Sequence, residues 1–430
     1  MTNKVKGFRS LTIVIKLGTS SIVDEVTHEP ILSILTLIVE TAAKLRKDGH
    51  RVILVSSGAI GVGLRRMDVE ERPKHLPRIQ ALAAVGQCRL MSLWDSLFGH
   101  LRIPVAQILL TRNDIADRTQ YVNAQNTFSE LLSMGVIPIV NENDTLAVAE
   151  IKFGDNDTLS AITAAMVNAD YLFLMTDVDC LYTSNPRNDP DAKPIEVVSD
   201  IANLAADVST AGSSLGTGGM GTKIVAAKLA TSVGVTTIIT KSSKPGNVHA
   251  IVKYLQEQGS DPQHPTSSTS QPPLHTRFLP SATPIQSRSF WLLHGLTPHG
   301  SVYIDQGAFE ALQNKAGLLP AGVVGVEGHF AQQEAVRLFV VDRRSATALD
   351  GDFISHAEEP REVGRALVNY GSSEINRIKG VRSTQIQSIL GYADSEYVAL
   401  RENISFFPTS ERPSRPVTPA LIERKVNKEV

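Results

Sequence analysis

The residues best suited to chemistry lie in a glycine-rich segment near the middle of the chain. Residues 217–223 read Thr-Gly-Gly-Met-Gly-Thr-Lys and stand directly before an alanine-rich helical stretch, Ile224–Val233. Glycines let backbone N–H groups converge on one point without side-chain obstruction. The following helix directs the positive end of its dipole there, and Lys223 adds a full charge. The segment therefore suits a polyphosphate. Its spacing is not that of a P-loop, and in other proteins such turns only cap or pack a helix.

Two more glycine turns follow predicted strands. The β-branched run Leu11–Leu17 contains Lys16 near its end and continues into Gly18-Thr19-Ser20. The apolar run Arg51–Val55 continues into Ser56-Ser57-Gly58-Ala59. Ligands of open α/β sheets bind beyond the carboxyl ends of the strands. The three glycine segments therefore predict a single crevice.

Acidic and amide residues follow two further strands. Residues 141–144 (Asn-Glu-Asn-Asp) follow the strand predicted over 136–140, and Thr176-Asp177 follow the strand predicted over 171–175. Residues 154–157 (Gly-Asp-Asn-Asp) open a predicted helix. An Asn or Asp at a helix start often serves only as an N-cap, and acids at strand ends can simply be solvated. Their recurrence at successive strand ends favours a site for a cation or a polar substrate.

Strands and helices alternate from residue 11 to residue 241. This pattern predicts an α/β fold, a three-layer sandwich with a mainly parallel central sheet. The composition then changes to a segment rich in Pro, Ser and Thr over 261–275, and short β-runs begin after residue 290. These shifts predict a small β-rich second domain. The predicted boundaries are 8–258 for the α/β domain, 259–284 for a flexible linker, 285–400 for the β-rich domain and 401–430 for a mobile tail.

Composition and charge indicate the cellular location of the protein. The 430 residues carry a formal net charge of −2, so nothing indicates generic attraction to nucleic acids or membranes. Two cysteines, Cys88 and Cys180, are too few for a disulfide framework or a cysteine-based zinc site. Both lie in apolar segments and are predicted to be buried and reduced. The first ten residues lack the apolar run of a secretory signal, and the stretch 31–39 is too short to span a bilayer. We expect a cytoplasmic protein without membrane contact.

Five motifs occur in one order, and together they resemble the amino acid kinase superfamily and specifically the glutamate 5-kinase family. They are Lys16–Ser20, Ser57–Ala59, Asn141–Asp144, Gly154–Asp157 and Gly216–Lys223. The resemblance is close over residues 10–255 and looser over 285–400, where Gly325–Phe330 resembles the barrel of a PUA domain. Cys180 stands where relatives usually carry glycine, and 259–275 resembles an insertion.

The resemblance implies transfer of phosphate from ATP to the side-chain carboxylate of L-glutamate, the first step of proline biosynthesis. A carboxylate is already nucleophilic at neutral pH, so no catalytic base is needed. Catalysis then rests on positioning and on neutralising charge. Mg²⁺ is expected as Mg-ATP, without an assigned protein ligand.

The implied site residues fall into three sets. The catalytic set is Lys16, Lys223 and Asp157. The substrate-binding set is Ser57, Asp144 and Asn156. The ATP-binding set is Lys16, Thr176, Asp177, Thr217, Gly218, Gly219, Met220, Gly221, Thr222 and Lys223.

Other readings stay open at this point. Related kinases acting on acetylglutamate, aspartate, carbamate or a nucleotide share the fold and the lysines, although the two Asn/Asp motifs favour free glutamate. The resemblance also implies inhibition by proline, a homo-oligomer, and a contact with the next enzyme of the pathway as one option. It places 111–126 near the glutamate site and the subunit contact, where a solvated loop is the alternative.

The second domain raises RNA binding as a competing function, because PUA domains often bind RNA. Residues 301–400 hold nine Lys and Arg against thirteen Asp and Glu. A module that binds phosphates needs the opposite balance. We therefore do not expect RNA binding, and a packing or oligomer-modulating role is the alternative.

Overall fold

An eight-stranded sheet organises the first two thirds of the chain in this computed structural model. The structure describes residues 9–146, 156–184, 186, 189, 191–201, 204, 219–260, 271–282, 284–285, 287–296, 298–342 and 360–407. The strands of this part are β1 (Thr12–Leu17), β2 (Arg51–Ser56), β3 (Val105–Leu110), β4 (Ile137–Glu142), β5 (Tyr171–Thr176), β6 (Leu181–Tyr182), β7 (Pro194–Ile195), β8 (Val197–Val198), β9 (Thr236–Lys241) and β10 (Thr276–Phe278).

The sheet is mainly parallel, as the alternation of strands and helices predicts. Its order is β3-β4-β2-β1-β5-β9-β10-β8. The strands from β3 to β9 in this order run parallel. Only β10 pairs antiparallel with β9, and it is joined in parallel by β8. The separate pair β6 and β7 forms a small antiparallel ribbon.

The helices of this part cover both faces of the sheet. They are α1 (Thr19–Ile22), α2 (Leu32–Lys47), α3 (Ala59–Arg66), α4 (Leu76–Gly99), α5 (Arg112–Ala116), α6 (Arg118–Ser133), α7 (Asn156–Met166), α8 (Met220–Ser232) and α9 (Gly246–Ser260). Apolar residues of α2, α4 and α9 form a buried cluster on one face. Those of α6, α7 and α8 form a second cluster on the other. The predicted three-layer sandwich is confirmed.

Strand β1 shows how the sequence sets these layers. Every residue from Thr12 to Leu17 is buried. Ile13, Ile15 and Leu17 belong to the cluster with α2, whereas Val14 belongs to the cluster with α7 and α8. Side chains alternate along a strand, so Lys16 points to the same face as Val14. An apolar strand therefore delivers a buried lysine to the face that carries α7 and α8.

A second, β-rich part follows, as the short β-runs after residue 290 predict. They are β11 (Gly300–Asp305), β12 (Val323–Gly328), β13 (Ala335–Val341), β14 (Arg361–Leu367) and β15 (Ile404–Phe406), ordered β12-β11-β13-β14-β15. Within the described residues this part has four α-helices, α10 (Ser287–Phe290), α11 (Gln306–Gln313), α12 (Ser372–Ile378) and α13 (Ile386–Leu390). A third buried apolar cluster forms its core.

Two boundary expectations and one burial expectation are wrong. Residues 276–278 of the predicted linker form β10, where Phe278 is fully buried, because the three residues pair along the edge of β9. Residues 404–406 of the predicted tail form β15 and pair with β14. Cys88 is exposed, whereas Cys180 is buried as predicted. Residues 408–430 lie outside the described residues.

The connection between the two parts is packed. A π-helical turn, Trp291–Gly295, follows α10 directly. Trp291 joins the apolar cluster of α7 and α8, and its indole Nε1 donates to the Ile115 carbonyl at 2.8 Å. On the other side, Arg365 of β14 donates to the Leu296 carbonyl at 2.9 Å. Among the described residues, no helix combines the length and apolar character needed to cross a membrane.

Candidate active site

The predicted site residues gather at one edge of the sheet. Lys16 lies at the end of β1, Ser57 directly follows β2, Asn141 lies at the end of β4, and Thr176 ends β5. These strands are parallel neighbours, so their carboxyl ends meet at the same edge. The predicted crevice thus corresponds to one place in the fold.

Asp157, in the first turn of α7, is held between the two predicted lysines. Its Oδ1 lies 2.6 Å from Lys16 Nζ, and its Oδ2 lies 3.3 Å from Lys223 Nζ. The Asp157 side chain is 0% exposed, and those of Lys16 and Lys223 are 5% and 8% exposed. Two buried ammonium groups therefore converge on one carboxylate, and positive charge at this position suits an anionic ligand.

The start of α8 is tied to the same carboxylate. Thr222 Oγ1 donates to Asp157 Oδ2 at 2.7 Å and accepts from the Gly219 N–H at 3.1 Å. Gly219 is the N-cap residue, and Met220 and Gly221 open the helix. Among the described residues, leaving out its chain neighbours and its own helix backbone, no atom lies within 4 Å of the point where a Gly221 side chain would begin. Thr217 and Gly218 lie outside the described residues.

The electrostatics keep Asp157 ionised. Burial alone would raise the pKa of Asp157, because it disfavours the charged form. The ammonium groups of Lys16 and Lys223, with hydrogen bonds from Lys16 and Thr222, outweigh burial and lower its pKa below the ordinary value. A carboxylate with a lowered pKa is a poor proton acceptor at neutral pH. Asp157 is therefore suited to positioning the two lysines and poorly suited to acting as a base.

A chain of side-chain hydrogen bonds lies beside this charged cluster. Asn156 Nδ2 donates to Ser57 Oγ at 2.7 Å and to Asn141 Oδ1 at 3.0 Å. Asn141 Nδ2 in turn donates to Gln87 Oε1 at 2.8 Å. Asn156 is thus more than a helix cap, because it links the loop after β2 to the end of β4. These hydrogen bonds connect Ser57 to Gln87 through Asn156 of α7 and Asn141 of β4.

Sequence reasoning assigned no role to Gln87 or Asn141. Asn141 is part of a quoted motif, but Gln87 lies within the long helix α4, where one glutamine gives no local signal. Its position depends on two glycines. A side chain at Gly86 would begin 1.7 Å from the Ala59 carbonyl oxygen, and one at Gly63 would begin 2.0 Å from the Leu82 carbonyl oxygen. The backbones of α3 and α4 therefore touch, which brings Gln87 to Asn141.

Three other predicted residues lie at the same edge. Asp144 is half-buried in the turn after β4. Thr176 is 8% exposed, and its Oγ1 donates to the exposed Asp177 at 3.1 Å. Residues 154–155 of the Gly-Asp-Asn-Asp motif lie outside the described residues. The structure thus brings Lys16, Asp157 and Lys223 into direct contact, and Ser57 with Asn156.

The segment 111–126 forms α5 and the first half of α6. It begins at Thr111, directly after β3, and so starts at the same edge of the sheet. Asp114 caps this turn by accepting from the Thr111 N–H at 2.6 Å. The Arg118 guanidinium lies 5.6 Å from the ring centre of Trp291. The segment is therefore packed and partly helical, in contrast to a solvated loop.

Comparison with known proteins assigns the family. The Amino acid kinase family model matches residues 11–241, and the PUA domain model matches residues 300–390. A probable glutamate 5-kinase of Schizosaccharomyces pombe is 58% identical over 92% of this chain and 93% of that protein. An uncharacterized protein of Saccharomyces cerevisiae is 49% identical over 93% of this chain and 99% of that protein.

A glutamate 5-kinase of a Cyanothece species is 47% identical over 91% of this chain and 98% of that protein. Both matches span more than nine tenths of this chain. With its parallel sheet, the two lysines around Asp157 and these relatives, the chain belongs to the amino acid kinase family and carries a PUA domain after the kinase domain.

Proposed function

We propose that this protein transfers the γ-phosphoryl group of ATP to the side-chain carboxylate of L-glutamate, yielding γ-glutamyl 5-phosphate and ADP, the first step of proline biosynthesis. The observation that carries the proposal is the buried cluster of Lys16, Asp157 and Lys223 beside an amide network. The names of relatives at 58% and 47% identity support it.

The reaction needs charge compensation more than proton transfer. A carboxylate oxygen of glutamate forms a bond to the γ-phosphorus, and the bond from that phosphorus to the bridging oxygen breaks. The electron pair of the broken bond leaves with ADP. Both reactants are anionic, so their approach is opposed by repulsion. Lys16 and Lys223 offset this repulsion, and Asp157 holds both ammonium groups in place.

The start of α8 favours the same anion. Its first turn presents backbone N–H groups, and its dipole adds partial positive charge. Lys223, at the fourth position of this helix, joins the helix start to the charged cluster. We propose that Gly219, Met220, Gly221 and Thr222 bind ATP phosphates together with Thr217 and Gly218, and that Thr176 and Asp177 bind the rest of the nucleotide.

Glutamate is expected to bind along the amide network, on the opposite side of Asp157 from the ATP phosphates. Ser57 and Asn156 are already hydrogen-bonded to each other there, which orients both side chains. Asp144 lies in the turn after β4, next to the strand that carries Asn141. Its carboxylate is the natural partner for the substrate ammonium group. Ser57, Asp144 and Asn156 are therefore proposed to bind the amino-acid end of the substrate.

Mg²⁺ is proposed to enter with ATP. The ion retains water and phosphate ligands readily and needs few protein ligands in kinases. Bound there, it would offset the negative charge of the phosphate groups. Within the described residues, no group of three or more His, Cys, Asp or Glu side chains is placed to hold a metal ion.

Several wider properties belong to the same proposal. We propose inhibition by proline, assembly into a homo-oligomer with 111–126 near the subunit contact, a contact with the next enzyme of the pathway, and a cytoplasmic location. The β-rich part contacts the apolar cluster of α7 and α8 through Ala335 and Leu367. Its excess of acidic residues argues against RNA binding, so we propose a packing or oligomer-modulating role.

A substrate panel tests the assignment. The purified protein with Mg-ATP and hydroxylamine is given L-glutamate, acetylglutamate, aspartate or carbamate, and both hydroxamate and ADP are measured. Glutamate should give the highest turnover and a γ-glutamyl hydroxamate. Equal or greater turnover of another acid would reassign the enzyme to a different substrate within the same family.

A further inference from the structure

Two buried atoms of the amide network have no hydrogen-bond partner among the described residues. They are Gln87 Nε2 and Asn156 Oδ1, and both atoms are buried. An unsatisfied buried polar atom destabilises a folded protein, because it loses its hydrogen bonds to water and gains none in return. Two such atoms within one network at the edge of the active site therefore point to a ligand that pairs with both.

The backbone determines which end of each amide is unpaired. The Glu142 N–H donates to the Asn141 side chain at 2.9 Å, so the accepting atom there must be Oδ1. Asn141 Nδ2 is then the donor to Gln87, which makes the facing atom Oε1 of Gln87. By the same logic Asn156 donates to Asn141 through Nδ2. The unpaired groups are therefore two N–H bonds of Gln87 and the carbonyl oxygen of Asn156.

We propose that Gln87 is a specificity-determining residue whose amide donates to the α-carboxylate of glutamate, a proposal that rests on the function proposed above. One donor and one acceptor match the carboxylate and ammonium groups of an amino acid. A hydrogen bond from an amide to a carboxylate is charge-assisted, and so it is stronger than one between neutral groups.

The order of the network selects the α-carboxylate over the reacting one. Asp157 and its lysines mark the place of phosphoryl transfer, and Asn156 is the neighbouring residue in the chain. Gln87 lies beyond both Asn156 and Asn141 in the network, at its far end. In glutamate, three carbon–carbon bonds separate the reacting carboxyl carbon from the α-carbon. The end of the network that is remote from the lysines therefore faces the amino-acid end of the substrate.

The test exchanges the donor for an acceptor without disturbing Asn141. In Gln87→Glu one oxygen can still accept from Asn141, while the other replaces the N–H donors. Gln87→Glu should raise KM for L-glutamate by about 100-fold, the loss expected for a hydrogen bond to a charged group. The α-amide of glutamate presents an NH₂ group at that position. The kcat/KM for the α-amide, divided by the kcat/KM for glutamate, should rise by at least about tenfold in Gln87→Glu.

Two controls separate recognition from structure. Cys88 is the next residue of the same helix and is exposed. Cys88→Ala should leave the kcat/KM values for both substrates unchanged. Gln87→Met removes the donor and the acceptor together, so it should weaken glutamate binding without favouring the α-amide. An unchanged KM for glutamate in Gln87→Glu, or an equal loss for both substrates, would overturn the proposal. A wild-type protein that does not phosphorylate glutamate would instead refute the proposed function.

Discussion

Asp157 Oδ1 lies 2.6 Å from Lys16 Nζ, and both side chains are almost fully buried. Burying a charge is unfavourable unless it is paired, and a pair inside a protein often contributes little to stability. This pair shares its carboxylate with Lys223, so the positive charges of two ammonium groups lie around one carboxylate. A kinase that must bring a carboxylate to a phosphate can use that charge. The arrangement is thus explained by function better than by stability.

The lysines give the first prediction. Lys223→Ala and Lys16→Ala should each lower kcat by about 10²–10³, the usual effect of losing one electrostatic stabiliser of a transition state. The fold should persist, which circular dichroism and thermal melting can check. Lys228→Ala, on the exposed side of the same helix as Lys223, is the matched control and should keep its activity. A kcat close to normal in either site variant would disprove the assigned role.

Asp144 gives the second prediction. If its carboxylate pairs with the substrate ammonium group, Asp144→Asn should raise KM for glutamate by about tenfold or more while KM for ATP changes little. Initial rates measured over both substrate concentrations separate the two constants. Asp48→Asn, an exposed aspartate far along the chain, serves as the control. An increase in KM for ATP alone would instead assign Asp144 to the nucleotide site.

His294 predicts a pH dependence of stability. Burial is the largest cause that lowers its pKa to about 4, and Arg365 and Lys228 also oppose protonation. The unfolded chain takes up the proton near pH 6.5, whereas the folded chain takes it up near pH 4. This contribution to stability is therefore complete above pH 6.5 and is lost as the pH falls from 6.5 towards 4.

The loss between pH 7 and pH 5 should amount to about 2 kcal/mol in the free energy of unfolding. His294→Phe retains an aromatic ring beside Phe290 and Phe407 and should lack this loss. Urea unfolding at the two pH values measures it, with the exposed His100→Gln as control. The same pH dependence in His294→Phe and in wild type would show that another group is responsible.

The position of β10 predicts where the chain tolerates truncation. A chain that ends at Gln258 loses Phe278, Phe290 and Trp291, which are 0%, 1% and 5% exposed. Each such side chain stabilises the fold by about 1.5–3 kcal/mol, so together they approach the whole stability of a domain. A chain that ends at His299 keeps them. The shorter chain should be insoluble or melt at least about 10 °C lower. Equal melting temperatures of the two truncated chains would show that residues 259–284 act only as a linker.

The general layout of the site could be predicted from the sequence because it depends on local pattern. Apolar strands that run into glycine, serine or asparagine turns placed Lys16, Ser57 and Asn141 at the carboxyl edge of a parallel sheet. The start of one helix could be predicted from Asn156, a residue type common at helix N-termini. The start of the other could be predicted from the glycines on either side of Met220. Parallel topology then brought these segments together without further information.

The remaining features depend on contacts between distant segments. Gln87 reaches the site only because Gly63 and Gly86 allow two helices to touch, and no short pattern encodes that approach. Strand β10 has three residues in a Pro- and Ser-rich context, and it forms because the edge of β9 is available for pairing. Exposure of Cys88 depends on which side of α4 faces the sheet.

The central claim is that a carboxylate oxygen of glutamate attacks the γ-phosphorus of ATP. It can be tested with glutamate labelled with ¹⁸O in its side-chain carboxylate. The product γ-glutamyl phosphate releases phosphate when its amino group closes a five-membered ring on the activated carbonyl. That phosphate retains the oxygen that formed the bond to phosphorus. Mass spectrometry should find one ¹⁸O atom in the phosphate. Unlabelled phosphate, produced at the same rate as ADP, would show that water is the acceptor and would contradict the account.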